Sequence, residues 1–372
     1  VNVTTLITGR LRAARRKPRP RAALPRDRRR TAARSLAIGF AALAVLNLAL
    51  GVAGEESLYI RDPGYSDKEI RLARQEAANP TGPGIVMLGT SRTAAAFAAG
   101  RVRDKLGSGV VFNFGIPASG PITHSVYLKR LLADGHKPDL LLLEVLPPTL
   151  VDLPAGPTTP AGPLEGRFLY GDRLTHGELD RVIDYGFPAE DVRRRWRQSV
   201  YEPWYALRFP IVGRAFPSAL PWHVRFDWSR GCDEFGWGAP FQESVTPTEF
   251  ATGFKQAHGE YADILAMLEP TGGGARALVD TVDLCRERGI AVRLVLMPES
   301  SHFRAMYPPE AERKVYEFLD RVCREHGCTL VNARHWLPDD AFWDGHHMVK
   351  PGAVLFTDML AKDSIEPFVA GR

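Results

Sequence analysis

Cysteine is scarce in this 372-residue chain, which holds four: Cys232, Cys285, Cys323 and Cys328. Their spacing matches no zinc motif, which excludes zinc-finger and zinc-ribbon scaffolds and makes a thiol nucleophile a poor candidate. Cys285 and Cys323 fall on apolar helix faces, so buried free thiols are expected, although an exported body would allow disulfides. No helix carries a His-x-x-x-His pair, and no internal repeat is present. Positive charge is also missing from most of the chain. Residues 1–34 hold twelve Lys or Arg and one Asp against a total of only +5, so everything after Arg34 is mildly acidic. That argues against a nucleic-acid-binding body, while leaving the tail free to touch nucleic acid or anionic lipid. A composition of 45% hydrophobic and 24% charged residues excludes chain-wide disorder.

One stretch, 35–53, has no charge at all and a single Asn. At about 1.5 Å per residue it is just long enough to cross a hydrocarbon core as a helix. Arginines precede it and Glu55-Glu56 follow, so the positive-inside rule predicts a single pass with a cytoplasmic N-terminus and an exported body. The basic region is far longer than an ordinary signal-peptide n-region, which favours an uncleaved anchor over cleavage after 51–54. A buried core helix is the alternative, and the asymmetric flanks disfavour it.

The rest divides into a connector (54–82) with a helical middle at 67–74, an α/β domain (83–146 and 271–372) and an inserted region (147–270). Gly84-Ile85-Val86-Met87-Leu88-Gly89-Thr90-Ser91-Arg92 predicts a strand, a tight turn and a helix with Ser91 at its mouth. Further strands are expected at 110–115, 138–145, 291–296 and 328–331, with helices at 121–134, 275–288, 309–326 and 352–362. This alternation predicts a three-layer α/β/α, flavodoxin-like fold with a central parallel sheet. The insertion contains a basic, aromatic helix at 189–208 and Trp196, Trp204, Tyr205, Trp222, Trp228 and Trp237. These aromatics are either the core of a cap or a platform for sugar rings or acyl chains; their helical spacing favours core.

A serine at a strand's carboxyl end and a helix N-terminus is placed as a nucleophile or, more plainly, as an N-cap. What favours the nucleophile is Asp344-Gly345-His346-His347, where Asp344 and His347 supply an orienter and a base from one turn. The backbone N–H groups of Ser91 and Gly115 are the candidate oxyanion donors, with a plain turn glycine as the other reading of Gly115.

Gly89-Thr90-Ser91, Asn113-Phe114-Gly115 and Asp344-Gly345-His346-His347, in that order, resemble the SGNH/GDSL hydrolase superfamily. They are most similar to its membrane-anchored bacterial branch of esterases and O-acyltransferases, associated with acyl groups on envelope and exported polysaccharides. The resemblance covers about 83–147 and 271–362. It implies Ser91 as nucleophile, His347 as general base and Asp344 as its orienter, with His346 the rival base or a substrate contact. Thr90 stands where the family has Asp, and Leu143-Glu144-Val145 stands where it has an oxyanion Asn, for which Ser300 or Asn113 would have to substitute. Arg92 is either an anion contact or a solvated surface residue. Glu299 and Arg304 either line the pocket or form an ion pair.

The expected function is a membrane-anchored serine esterase or O-acyltransferase of the bacterial inner membrane. It would act on small acyl esters, chiefly acetyl, of an extracytoplasmic glycan through an acyl-Ser91 intermediate, with no cofactor or metal and with possible envelope-complex protein partners. The alternative is an inactive binding or assembly protein of the cell envelope. A metal-dependent hydrolase using His335, Asp344, His346 and His347 is a third class, one that leaves Ser91 unexplained.

Overall fold

A computed structural model of the chain describes residues 26–156, 161–167, 171–220 and 231–372. Trp222, Trp228 and most of the basic tail therefore lie outside the described residues. The chain divides after Leu46 into two units, taken separately here. Helix α1 (Arg26–Glu56) supplies, up to Leu46, the described part of the smaller one and is long and apolar enough to cross a membrane, its most apolar 18 residues having a mean hydropathy of 2.3. Leu36, Ile38, Phe40 and Val45 are exposed, the reverse of a core helix.

The larger unit is built on five parallel strands: β1 (Gly84–Gly89), β2 (Val110–Gly115), β3 (Leu140–Val145), β4 (Ala291–Leu296) and β5 (Thr329–Asn332). Their spatial order is β2-β1-β3-β4-β5, the doubly wound order. β1, and β3 up to Glu144, are apolar because helices cover both faces. Side chains alternate accordingly: Val86 and Leu88 enter one core, Ile85 and Met87 the other.

The main helices of this unit are α2 (Pro63–Ala78), α3 (Ser91–Ala96), α4 (Ala99–Leu106), α5 (Pro121–Ala133), α6 (Ala189–Tyr201), α7 (Pro247–Ala266), α8 (Gly273–Glu287), α9 (Pro309–His326) and α10 (Lys350–Leu360). Leu72, Val126, Leu278 and Phe318 bring α2, α5, α8 and α9 to the first core. Ala96, Val102 and Phe356 bring α3, α4 and α10 to the second, so the fold is three-layered. Because β1 lies between β2 and β3, the chain leaves it in one direction and returns beside it in the other. The crevice above the carboxyl ends of β1 and β3 is thereby left open.

Between β3 and α8 the chain runs outside the sheet. α6 stops at Tyr201 rather than continuing to residue 208, because Pro203 forces Glu202 to an extended φ of −127°. α7, inside the inserted region, starts at a capping box. The Glu249 carboxylate accepts from Thr246 N at 2.8 Å, and the Thr246 hydroxyl accepts from Glu249 N at 3.3 Å. The described aromatics of this region do not all enter the core. Trp196 packs partly buried on the first core, Trp204 and Tyr205 are exposed, and Trp237 lines the cavity described below. Cys285 is buried as expected, whereas Cys323 is only half-buried and its Sγ lies 3.0 Å from that of Cys328.

Candidate active site

Ser91 is the first residue of α3, directly past the end of β1. The turn that presents it is organised by Glu144 at the end of β3, a fully buried carboxylate. It accepts from Thr90 N (2.7 Å), the Thr90 hydroxyl (2.9 Å), Thr93 N (3.3 Å) and the Thr93 hydroxyl (2.5 Å). Two strand ends are thus tied together through one side chain. A Cβ on Gly89 would collide with Thr93 and Glu144, so the close approach requires glycine there. The Thr90 hydroxyl also accepts from Arg92 N at 3.1 Å and so caps α3, a role first considered for Ser91. Ser91 is left free to bond elsewhere.

Its Oγ lies 2.8 Å from His347 Nε2, and His347 Nδ1 lies 2.7 Å from Asp344 Oδ2. A carboxylate can only accept, so it assigns the proton to Nδ1 and leaves Nε2 to accept from the serine. The other Asp344 oxygen accepts the backbone N–H groups of His346 (3.1 Å) and His347 (2.7 Å). Gly345, at φ +97°, makes this tight turn possible, and its carbonyl accepts from Ser300 N at 2.9 Å. Burial alone would raise the Asp344 carboxyl. His347, His346 and the N–H groups of the turn outweigh it and hold the group below the ordinary aspartate range. Trp343 lies almost parallel to the His347 ring, 5.6 Å away, and fixes its tilt.

His346 is placed differently. It is buried against Phe303 (4.9 Å) and Tyr261 (5.4 Å), and burial together with neighbouring His347 pushes it well below the usual imidazole value. It borders the cavity as a neutral wall. The ligand atoms of Asp344, His346 and His347 come within 4.8 Å of one another, and His335 is not part of that group.

Several expectations need correction. The Gly115 N–H donates to Asn113 Oδ1 at 2.9 Å and is not available to a substrate; a Cβ there would strike the backbone of α3, so this glycine serves packing. Asn113 is fully buried, and its amide donates to Thr93 O and Phe97 O, both at 2.8 Å. It neither contacts the cavity nor replaces the missing oxyanion Asn. Ser300 does not either, being a buried cap whose hydroxyl accepts from Phe303 N at 3.2 Å. Arg92 is not a solvated surface residue. Only 2% exposed, it donates to Pro298 O at 3.0 Å and lies 3.8 Å from Glu144 and 3.5 Å from Glu299. Glu299 pairs with Arg334 at 2.8 Å and lies beneath the site; Arg304 meets its backbone carbonyl rather than its carboxylate. The chain Glu144, Arg92, Glu299, Arg334 is a buried run of alternating charges joining the ends of four strands, β3, β1, β4 and β5.

In place of Gly115, the loop after β2 presents Ala118, which borders the same cavity as Ser91 and His347. Its φ of +61° is the left-handed conformation, which no other non-glycine described residue adopts. Two bonds to Gly89 O hold the loop beside the nucleophile turn, from Ile116 N (2.8 Å) and the Ser119 hydroxyl (3.0 Å). Among the described residues, neither Ser91 N nor Ala118 N donates to a protein acceptor. Glu144 was open to discovery as a lone charge ending an apolar strand. Ala118 carried no sequence signal, since alanine does not announce a positive φ.

The cavity measures about 1130 Å³. Trp237, Phe241 and Trp343 line it together with Gln242, Gln256 and Glu260.

No family model matches the chain, and no curated protein matches it. Among solved structures, it is similar to a mutant of an acetyl-xylooligosaccharide esterase from Geobacillus, at 11% identity and a TM-score of 0.36, covering 76% of this chain and 94% of that one. It is also similar to an alpha/beta hydrolase enzyme from the metagenome of Lake Arreo, Spain, at 13% identity and a TM-score of 0.29, again covering 76% and 94%. Likeness at these values carries no argument about chemistry, which rests on the residues above.

Proposed function

We propose that the chain is a serine esterase or O-acyltransferase working through an acyl-Ser91 intermediate. The observation that supports this most strongly is the unbroken sequence of contacts from Ser91 Oγ through His347 to Asp344, at 2.8 and 2.7 Å. In the first step His347 Nε2 takes the hydroxyl proton as Ser91 Oγ attacks an ester carbonyl. Asp344 stabilises the imidazolium, which then returns the proton to the leaving alcohol. Water or a sugar hydroxyl, deprotonated by the same imidazole, attacks the acyl-serine in the second step. Hydrolysis and transfer differ only in that acceptor.

The N–H groups of Ser91 and Ala118 are the oxyanion donors in this reading. Each is worth a factor of about 10² to 10³ in rate in comparable sites. The glycan reading draws on the cavity lining. Pyranose rings offer apolar C–H faces and hydroxyl edges, which suit Trp237, Phe241 and Trp343 beside amide and carboxylate groups. A cavity of about 1130 Å³ also far exceeds what an acetyl group fills. The apolar part of α1, flanked by arginines on one side and Glu55-Glu56 on the other, would hold this body on the outer face of the bacterial inner membrane.

The test is incubation of the full chain in detergent with p-nitrophenyl acetate, followed by peptide mass spectrometry after acid quench. An acetyl group on the Ser91 peptide, discharged faster when acceptor sugars are added, is the expected result. Acetyl on another residue, or hydrolysis that persists in Ser91→Ala, would overturn the proposal.

A further inference from the structure

A second cavity, of about 580 Å³, adjoins the first across a wall that includes Ala95, Pro117, Cys232 and Gly238. Six cationic side chains line it, Arg61, Lys68, Arg71, Arg173, Arg195 and Arg208, against two carboxylates, Asp67 and Asp172. Glu55 pairs with Arg61 at 2.7 Å, and Asp67 is taken by Arg214. Burial pushes the Asp172 carboxyl up, while Arg173, Arg195 and Arg61 act on it in the opposite direction. Among the described residues, no carboxylate lies within ion-pair distance of Lys68, Arg71 or Arg208. Lys68 is buried and gives two of its three ammonium protons to carbonyls, Asn113 O at 2.9 Å and Gly236 O. Arg71 spends one nitrogen on Asp67 O at 3.0 Å. Arg208 lies over the Tyr205 and Phe209 rings, 4.2 and 4.3 Å from their centres, and gives one nitrogen, Nη1, to Tyr205 O. Uncompensated cations in a walled cavity call for an anion, and guanidinium forks match phosphate oxygens.

We propose that this cavity binds the phosphate of a membrane lipid headgroup. Charge sets the phosphate; the surroundings set the lipid. Tyr201, Trp204, Tyr205 and Phe216 are exposed in the segment that forms the cavity's rim. Amphipathic aromatics interleaved with arginine are the composition of a bilayer interface. Gly51, near the end of the apolar run, and Gly54, just past it, pack closely on Val200 and Leu207 of the same segment. The choice of a lipid rather than a free phosphate ester rests on the membrane tether proposed above. A lipid seated here lies one wall away from Ser91.

The experiment is thermal unfolding of the full chain in detergent, titrated with phosphatidylglycerol, diacylglycerol or glycerol phosphate, for wild type and Arg71→Gln/Arg208→Gln. Saturable stabilisation by phosphatidylglycerol is expected, absent with diacylglycerol and at least about tenfold weaker with glycerol phosphate or in the double variant. Equal stabilisation by diacylglycerol, or an unchanged response in the double variant, would overturn the site. An equal response to glycerol phosphate would overturn the lipid assignment. Native mass spectrometry of the wild type with the same probes reads binding without any substitution, should the variant fold poorly; retained diacylglycerol at the level of phosphatidylglycerol counts against the proposal. Fluorophosphonate labelling in the same samples keeps the readings apart, since loss of labelling sinks the serine chemistry and leaves lipid binding to stand on its own result.

Discussion

Glu144 bears more of the site's architecture than any residue singled out from the sequence. It accepts hydrogen bonds at both ends of the nucleophile turn and faces the buried Arg92 guanidinium. Thr90 fits this arrangement, whereas an aspartate there would set two carboxylates side by side in a buried site. Glu144→Gln replaces an acceptor pair by one acceptor and one donor, and leaves Arg92 with a single carboxylate neighbour. We expect a loss of about 3 to 5 kcal/mol, read as a lower urea midpoint with an unchanged slope. Ser91, Asp344 and His347 were legible because residue type and local spacing carry their chemistry. Arg92 was not, because its partners lie 52 and 207 positions away along the chain and only the fold brings them together. Gly115 was misread for a local reason: Asn113 reaches two residues forward and takes the N–H that a substrate would need.

Titration is also a matter of single residues. Burial lowers His124 to about 4, and His346 is pushed well below the usual value. Both stay neutral in the folded chain while the unfolded chain takes up protons below about 6.5. Their contribution is therefore complete above that pH and is lost as pH falls toward 4. A gap of the size His124 shows is worth on the order of 3 kcal/mol. His136 has the opposite sign. Bonded to Glu76 (2.6 Å) and Glu69 (3.1 Å), it is raised to about 9, so its contribution is present below about 6.5 and fades as pH rises through 9. Urea midpoints at pH 4, 5, 7 and 9.5 should trace a maximum near neutrality. His124→Gln should flatten the acid side and His136→Gln the alkaline side; unchanged limbs in both variants would contradict the assignment.

At the scale of elements, the five strands were readable because central parallel strands are apolar on both faces. Most of the inserted region was not, since apart from α6 and α7 its helices are short and broken by proline. α7 still carried a signal in Thr246-Pro247-Thr248-Glu249, a capping box with proline at the first helical position. In the proposed mechanism the loop between β2 and α5 supplies an oxyanion donor, because it holds Ala118 in a left-handed conformation beside the nucleophile turn. Ala118→Gly relieves about 1 to 2 kcal/mol of backbone strain and adds about 0.4 to 1 kcal/mol of chain entropy to be lost on folding. The expected result is stability within about 1 kcal/mol of wild type with the N–H, and so the rate, retained. Ala118→Val puts a β-branched residue at the same φ and should lower both stability and kcat, measured by urea unfolding and ester hydrolysis.

At the scale of the whole larger unit, the strand order places the site. Reversal of winding at β1 opens a crevice where the end of β1 carries Ser91, the end of β3 carries Glu144, and the loop before α10 brings in Asp344 and His347. Groups more than 250 positions apart meet within 2.8 Å for that reason. The parallel, three-layered architecture was predictable from the alternation of strands and helices, whereas the two adjoining cavities were not, because part of their walls comes from the inserted region. The central claim is that Ser91 is activated by His347. Its most direct test is labelling of the full chain in detergent by a fluorophosphonate probe, comparing wild type with Ser91→Ala, His347→Ala and Asp344→Asn. The account predicts a labelled Ser91 peptide in the wild type, none in the first two variants, and labelling slowed by about 10⁴ in the third. An unlabelled but folded wild type, or labelling that survives in His347→Ala at the wild-type rate, would contradict it.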